Sequence, residues 1–119
     1  TAFRKTSFRT FPLNDFVEYK KLDELNYLHH FIDISESICG CIDSLLLNQL
    51  FYAADFYLEK NKGSLKKNEY FFYKVVILEW FQKLDELEAL INKNRLFNTQ
   101  NVMLAEFYLK VLKRIYEKR

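Results

Sequence analysis

The chain has 119 residues, of which 50% are hydrophobic and 18% aromatic, with 18 Lys and Arg against 16 Asp and Glu. This length and apolar content predict a single domain with its own core and exclude intrinsic disorder. Two Gly and one Pro are too few for the turns of a β-sandwich or barrel, and no apolar run is long enough to cross a bilayer.

The N-terminal segment, residues 1–13, has no helical periodicity and contains the one proline, Pro12. These features predict an extended arm, and its three phenylalanines indicate that the arm docks on a surface. Because the chain starts with Thr rather than Met, we expect it to be part of a longer protein.

An Asp-x-x-Glu start signal at Asp15 and Glu18 opens the first predicted helix. The apolar residues after it recur every three or four positions, which predicts the inner stripe of an amphipathic helix: Phe16, Tyr19, Leu22, Leu25, Leu28 and Ile32. A single helix from 16 to 60 would exceed the usual length in globular proteins. We therefore place a break near 33–35, where Asp33 and Glu36 repeat the start signal; one long bent helix is the alternative.

Three further helices are predicted, over residues 35–61, 65–93 and 99–118. The second contains Gly40, which is tolerable where another helix approaches closely. The last helix has six residues that we expect to face inward: Met103, Leu104, Phe107, Val111, Leu112 and Ile115. Short loops between four helices predict an all-α fold, an antiparallel four-helix bundle domain over residues 14–119 preceded by the extended N-terminal arm of residues 1–13.

A short segment occurs twice in the chain. Lys21-Leu22-Asp23-Glu24-Leu25-x-x-Leu28 recurs as Lys83-Leu84-Asp85-Glu86-Leu87-x-x-Leu90. A duplicated helical hairpin would explain the repeat. The identity does not extend far beyond these residues, so we favour chance resemblance between two good helix faces.

No combination of residues typical of a catalytic or metal site is present. His29 and His30 are adjacent, but neither has Glu three positions before it, and the side chains of Cys39 and Cys41 diverge on a helix. Two glycines cannot supply a phosphate-binding loop. We therefore expect a protein that is not an enzyme, has no cofactor and no metal, and keeps its thiols reduced in an intracellular compartment, cytoplasmic or nuclear.

The segment 70–81, Tyr-Phe-Phe-Tyr-Lys-Val-Val-Ile-Leu-Glu-Trp-Phe, is apolar nearly all the way round a helix. No helix of a small four-helix bundle is enclosed on every side, so we predict that part of this surface contacts a partner; aromatic core filling is the alternative. The predicted partner-binding residues are aromatics and a valine outside the inner stripes, with lysines at the rim: Phe51, Tyr57, Lys66, Lys67, Phe71, Phe72, Lys74, Val75 and Trp80.

These features predict a non-enzymatic protein–protein interaction or oligomerisation module, a subunit or adaptor of a larger assembly. Its partner would be another protein or a second copy of the chain, and no membrane is involved. An acidic stretch over residues 13–59 is followed by basic segments, which would suit self-association or a charged partner. Ordinary solvated faces are the alternative explanation of this charge pattern, and we favour it.

The alternative function is a nucleic-acid-associated helical bundle, such as a single-strand binder or the small subunit of a nucleoprotein complex. Five lysines in residues 60–74 lead into Tyr70, Phe71, Phe72 and Tyr73, and the C-terminus is also basic. Lysines that contact phosphates, together with aromatic side chains that stack on bases, can bind single-stranded nucleic acid. The acidic stretch over residues 13–59 opposes this alternative.

Overall fold

A computed structural model describes the backbone of residues 13–119 and the side chains from residue 17 onward. The described part of the chain is all-helical, as predicted, and contains no strand. It has six helices: α1 (Leu13–Ile34), α2 (Ile38–Leu47), α3 (Phe51–Lys60), α4 (Lys67–Trp80), α5 (Leu84–Lys93) and α6 (Val102–Lys118). Short 3₁₀ turns lie at Lys62–Ser64 and Leu96–Asn98. The predicted arm lies outside the described residues, apart from Leu13, which begins α1.

The break predicted near 33–35 is confirmed, because α1 ends at Ile34 and α2 begins at Ile38. The capping residue is Ser37 rather than Asp33. Its hydroxyl accepts a hydrogen bond of 2.9 Å from the backbone N–H of Gly40. A Cβ added to Gly40 would lie 3.1 Å from that hydroxyl. The glycine therefore accommodates this cap, not a neighbouring helix as expected.

The helices predicted over 35–61 and 65–93 are each divided in two, so the prediction of four helices is wrong for the described residues. Gln49 and Gln82 adopt left-handed backbone conformations, with φ of 60° and 58°. The N–H of each next residue bonds back across the turn, Leu50 to the carbonyl of Leu45 and Lys83 to that of Leu78. This is the Schellman ending of a helix, built twice with glutamine where glycine is usual.

Asparagines reinforce the ends of three helices. The side-chain amides of Asn48, Asn61 and Asn94 donate hydrogen bonds to the carbonyls four residues earlier, at 2.8, 2.8 and 3.0 Å. Each carbonyl also accepts a hydrogen bond from the backbone N–H of the same asparagine, so the side-chain amide adds a second donor at the end of the helix. The same role in α4 falls to Gln82, whose amide donates to the carbonyl of Glu79.

The chain divides into two compact units, Thr1–Lys62 and Gly63–Arg119. In the first, α1, α2 and α3 contact one another. Its fully buried side chains include Cys41, Ile42 and Leu45 from α2 and Leu58 from α3. Ala53 and Ala54 are also completely buried, which lets the other helices approach α3 closely. That residues 14–119 form one domain stays a prediction.

In the second unit, α5 contacts both α4 and α6, and the 3₁₀ turn at Leu96–Asn98 contacts α5 and α6. Its core is one cluster of buried residues: Val75, Leu78, Leu87, Ile91, Leu96, Tyr108, Val111, Leu112 and Ile115. Ion pairs join the C-terminal end of α6 to the rest of the unit. Arg114 donates two hydrogen bonds of 2.7 Å to Glu79, and Arg119 donates to Glu88 and Asp85.

Candidate protein-interaction surfaces

The predicted contact residues on α4 are mostly covered by the chain itself. Val75 is completely buried in the core of the second unit, so it is not available to a partner. Phe71 packs against that core, and the ring of Phe72 lies 5.3 Å from that of Phe107 on α6. Trp80 differs from these residues, because 54% of its surface is exposed at the end of the helix. Core filling therefore accounts for most of the aromatic residues in this segment.

The other predicted contact residues fall into two groups. On α3, Phe51 is buried and Tyr57 is half-buried, with burial raising the pKa of the Tyr57 hydroxyl and the neighbouring Cys41 adding to the rise. Lys66 and Lys67 are exposed at the start of α4, and Lys74 is half-buried farther along it. Phe51 and Tyr57 belong to the first unit and the three lysines to the second, and the role of these residues in partner binding stays a prediction.

Sequence reasoning missed an exposed apolar line on α6. Val102, Leu109 and Tyr116 are 69%, 51% and 62% exposed, and their spacing of seven residues places them on one side of the helix. Met103 was expected to face inward, but it is 81% exposed. The heptad spacing in the sequence was a usable signal for this line. We call Val102, Leu109 and Tyr116 the α6 line.

A second apolar surface lies on α1. Tyr19 and Leu22 were expected in the inner stripe, yet both are 64% exposed, and Tyr27 and Ile34 are also exposed. The side of α1 that faces inward carries Leu28 and the carboxylate of Glu24, so Tyr19 and Leu22 lie on the outer side of the helix. We call Tyr19, Leu22, Tyr27 and Ile34 the α1 outer face.

Glu24 is almost completely buried, which no feature of the sequence indicated. One carboxylate oxygen accepts hydrogen bonds from the backbone N–H groups of Tyr52 and Ala53, at 2.8 and 3.1 Å. Lys20 lies 3.9 Å from the other oxygen. Burial nevertheless raises the pKa of Glu24, with the hydrogen bonds and Lys20 opposing the rise. The arrangement caps a helix and presents no group to a substrate.

A groove of about 570 Å³ lies between α1 and α3 in the first unit. Leu25, Tyr52 and Phe56 form its apolar surface, and its charged residues carry both signs: Lys21, Asp55, Glu59 and Lys60. The Lys21 ammonium lies 5.8 Å from the centre of the Tyr52 ring. An open groove of this composition suits a peptide or helix with both apolar and charged side chains.

The residues invoked for nucleic-acid binding are largely engaged within the chain. Tyr70 and Tyr73 are buried and therefore unavailable for stacking on bases. At the C-terminus, Arg114 and Arg119 pair with acidic residues and Lys118 donates to Gln82. Lys66 and Lys67 stay exposed. Lys60 and Lys62 of the same basic segment are exposed as well, so among the described residues burial removes the two tyrosines of this alternative but not its lysines.

The polar residues considered as metal ligands are not brought together. In the part of the chain that the structure describes, no group of three or more His, Cys, Asp or Glu could hold a metal ion. His29 and His30 are exposed on α1. Cys39 and Cys41 are free thiols, and burial raises the pKa of Cys41, with a hydrogen bond from Ser35 opposing that rise.

None of the described helices is both long enough and apolar enough to span a membrane.

Comparison with known proteins adds no further constraint: no family model, no curated protein and no solved structure matches this chain.

Proposed function

We propose that this chain is a non-enzymatic protein-interaction or oligomerisation module that acts as a subunit or adaptor in a larger assembly. The observation that carries the proposal is the exposure of large apolar side chains along the outer sides of two helices, the α1 outer face and the α6 line. Single exposed apolar residues are ordinary on protein surfaces. Several on the outer side of one helix are typical of a surface that a partner covers.

These exposed surfaces differ from the contact residues predicted from the sequence. Trp80 keeps a place among the proposed contact residues, because it is a large exposed aromatic side chain of the kind that anchors interfaces. The groove between α1 and α3 adds an apolar surface with charges of both signs. A partner of mixed apolar and charged composition would match these surfaces.

Two matched leucine variants test the proposal. Leu22→Glu places a charge on the α1 outer face, whereas Leu47→Glu makes the same change at the end of α2, where the side chain is 85% exposed. We expect both variants to keep the circular dichroism spectrum of the wild type. Light scattering over a range of concentrations then measures self-association. Affinity capture from extracts of the cells in which the protein occurs measures complex formation with other proteins.

The expected result is that wild-type protein forms a dimer or a defined complex that Leu22→Glu or Leu109→Glu weakens and Leu47→Glu leaves intact. A wild-type chain that stays monomeric and yields no complex depending on these surfaces would refute the proposal. Binding of a labelled single-stranded oligonucleotide that collapses with added salt would instead support the nucleic-acid alternative.

A further inference from the structure

The α6 line is part of a heptad pattern. Ala105 and Leu112 lie between its members, so apolar residues alternate at spacings of three and four along the whole helix. This is the spacing of the a and d positions with which one helix packs against another in a coiled coil. Leu112 is 8% exposed and Ala105 half-buried, so these two form the inner edge of the seam and the α6 line its outer edge.

The charges beside the seam distinguish between parallel and antiparallel pairing. Glu106 and Lys113 follow Ala105 and Leu112 directly, and both are exposed on the same edge of α6. The opposite edge carries Tyr108 and Ile115, which are buried in the core of their own unit. In a parallel pair, the edge with Glu106 and Lys113 would face the edge of the partner helix that carries Tyr108 and Ile115. That edge is buried in the core of its own unit and is not accessible to a partner. In an antiparallel pair each edge faces itself, so Glu106 of one copy lies beside Lys113 of the other.

Side-chain size agrees with the same register. When two copies of α6 run antiparallel with Leu109 opposite Leu109 of the second copy, Tyr116 lies opposite Val102. The larger side chain then faces the smaller one at both ends of the contact, and the two copies of Leu109 fill its centre. Because the arrangement has a two-fold axis, the two copies use the same surface and the assembly closes as a dimer.

We infer that α6 is a self-association surface on which a second copy of this chain packs antiparallel. Leucines occupy the centre of the contact and two Glu106–Lys113 ion pairs flank it. The inference rests on the proposed function, and it identifies the partner at the α6 line as a second copy of the chain. Seventeen residues provide little more than two heptads, so the dimer is weak and its population depends on protein concentration.

Sedimentation equilibrium of the full chain measures the dimer directly. We expect Leu109→Glu to raise its dissociation constant by about tenfold or more, since it places a charge at the centre of the contact. Met103→Glu is the matched control, because Met103 is exposed on the same helix but away from the seam. It should leave the dissociation constant unchanged.

The flanking charges provide a test specific to a second copy. Glu106→Lys puts lysine beside lysine and should weaken the dimer, and combining it with Lys113→Glu restores the opposite charges and should recover it. A zero-length carbodiimide cross-linker should join Glu106 to Lys113. In a mixture of ¹⁴N- and ¹⁵N-labelled chains, mass spectrometry should find this cross-link between differently labelled copies.

Failure of this inference is distinguishable from failure of the proposed function. A monomer at all concentrations, or a dimer that Leu109→Glu and the charge reversal leave unaffected, overturns the antiparallel α6 dimer. If Leu22→Glu weakens that dimer or abolishes a complex with another protein, the proposed function stands through the α1 outer face. A cross-link that joins Lys113 only to other acidic residues also overturns the inference.

Discussion

The carboxylate of Glu24 accepts a hydrogen bond of 2.8 Å from the backbone N–H of Tyr52, 28 residues farther along the chain. Tyr52 is the second residue of α3, whose own N-cap residue, Leu50, makes no side-chain hydrogen bond. The same oxygen also accepts from the N–H of Ala53. Two of the unsatisfied N–H groups at the start of α3 therefore depend on a side chain from the middle of α1.

Glu24→Ala is expected to destabilise the protein by about 2 kcal/mol, because it leaves two N–H groups without their acceptor in a buried position. Urea unfolding followed by circular dichroism at pH 7 measures the loss. The control is Glu18→Ala, which removes only an exposed ion pair with Lys21 at 3.4 Å. That change should cost no more than about 0.5 kcal/mol. Equal losses for the two variants would contradict a capping role.

The pKa of Glu24 also predicts how stability depends on pH. Burial raises this pKa above its ordinary value of 4.5, so the folded protein holds the proton more tightly than the unfolded chain does. The stability contributed by this group is therefore fully present below pH 4.5 and is lost as pH rises through the folded-state pKa. Glu24→Gln removes the titration while keeping an oxygen that can accept both hydrogen bonds.

The comparison of wild type with Glu24→Gln isolates this effect from other titrating groups. From pH 4 to pH 8, the free energy of unfolding of the wild type should fall relative to that of the variant. Urea denaturation at a series of pH values provides the measurement. A wild type that gains stability over the variant as pH rises would mean that the two N–H groups and Lys20 outweigh burial.

The helical content was predictable because apolar residues recur at helical spacing through most of the chain. The helix break at Gln82 was not predictable, and the break at Gln49 had a signal only in the preceding Asn48. Neither break contains glycine or proline, and the left-handed backbone there is stabilised by hydrogen bonds that return to the preceding helix. A glutamine in such a turn looks the same in sequence as one inside a helix. Asn48, by contrast, was a signal, since asparagine ends two other helices in the same way.

The repeated pentapeptide shows why the exposed faces were harder to predict. In α1, Glu24 is buried and Leu25 is half-buried, but in α5 the corresponding Glu86 is exposed and Leu87 is completely buried. Identical residues thus face in different directions, because the first copy lies in the middle of a helix and the second spans the start of one, with Lys83 as the N-cap residue and Leu84 as the first helical residue. Tertiary contacts decide which side of an amphipathic segment is covered, and local spacing leaves that choice open.

The paired hydrogen bonds between Arg114 and Glu79 predict that arginine and lysine are not interchangeable at this position. Both bonds are 2.7 Å, and Glu79 is largely covered. They raise the pKa of Arg114, which already stays charged throughout the accessible range. Arg114→Lys keeps the charge but loses the two-pronged geometry, and we expect a loss of about 1 kcal/mol in urea unfolding. Lys110→Ala, at an exposed position on the same helix, should have an effect within about 0.5 kcal/mol. A similar result for the two variants would show that the two-pronged geometry contributes nothing beyond the charge.

Gln49→Gly should stabilise the protein, which is an unusual direction for a glycine substitution. A left-handed conformation costs a residue with a Cβ about 1 kcal/mol or more, and glycine adopts it freely. The greater freedom of glycine in the unfolded chain offsets part of the gain, so we expect a net increase of about 0.5 kcal/mol in thermal or urea unfolding.

Gln82→Gly is the matched comparison at the second break. It relieves the same backbone strain, but it also removes a side-chain hydrogen bond to the carbonyl of Glu79 at 2.8 Å and one from Lys118 at 3.0 Å. These losses should cancel the gain, so its stability should match the wild type or fall slightly below it. If Gln49→Gly instead destabilises the protein as a glycine inside a helix does, the break between α2 and α3 is absent in solution, and residues 38–60 form one continuous helix.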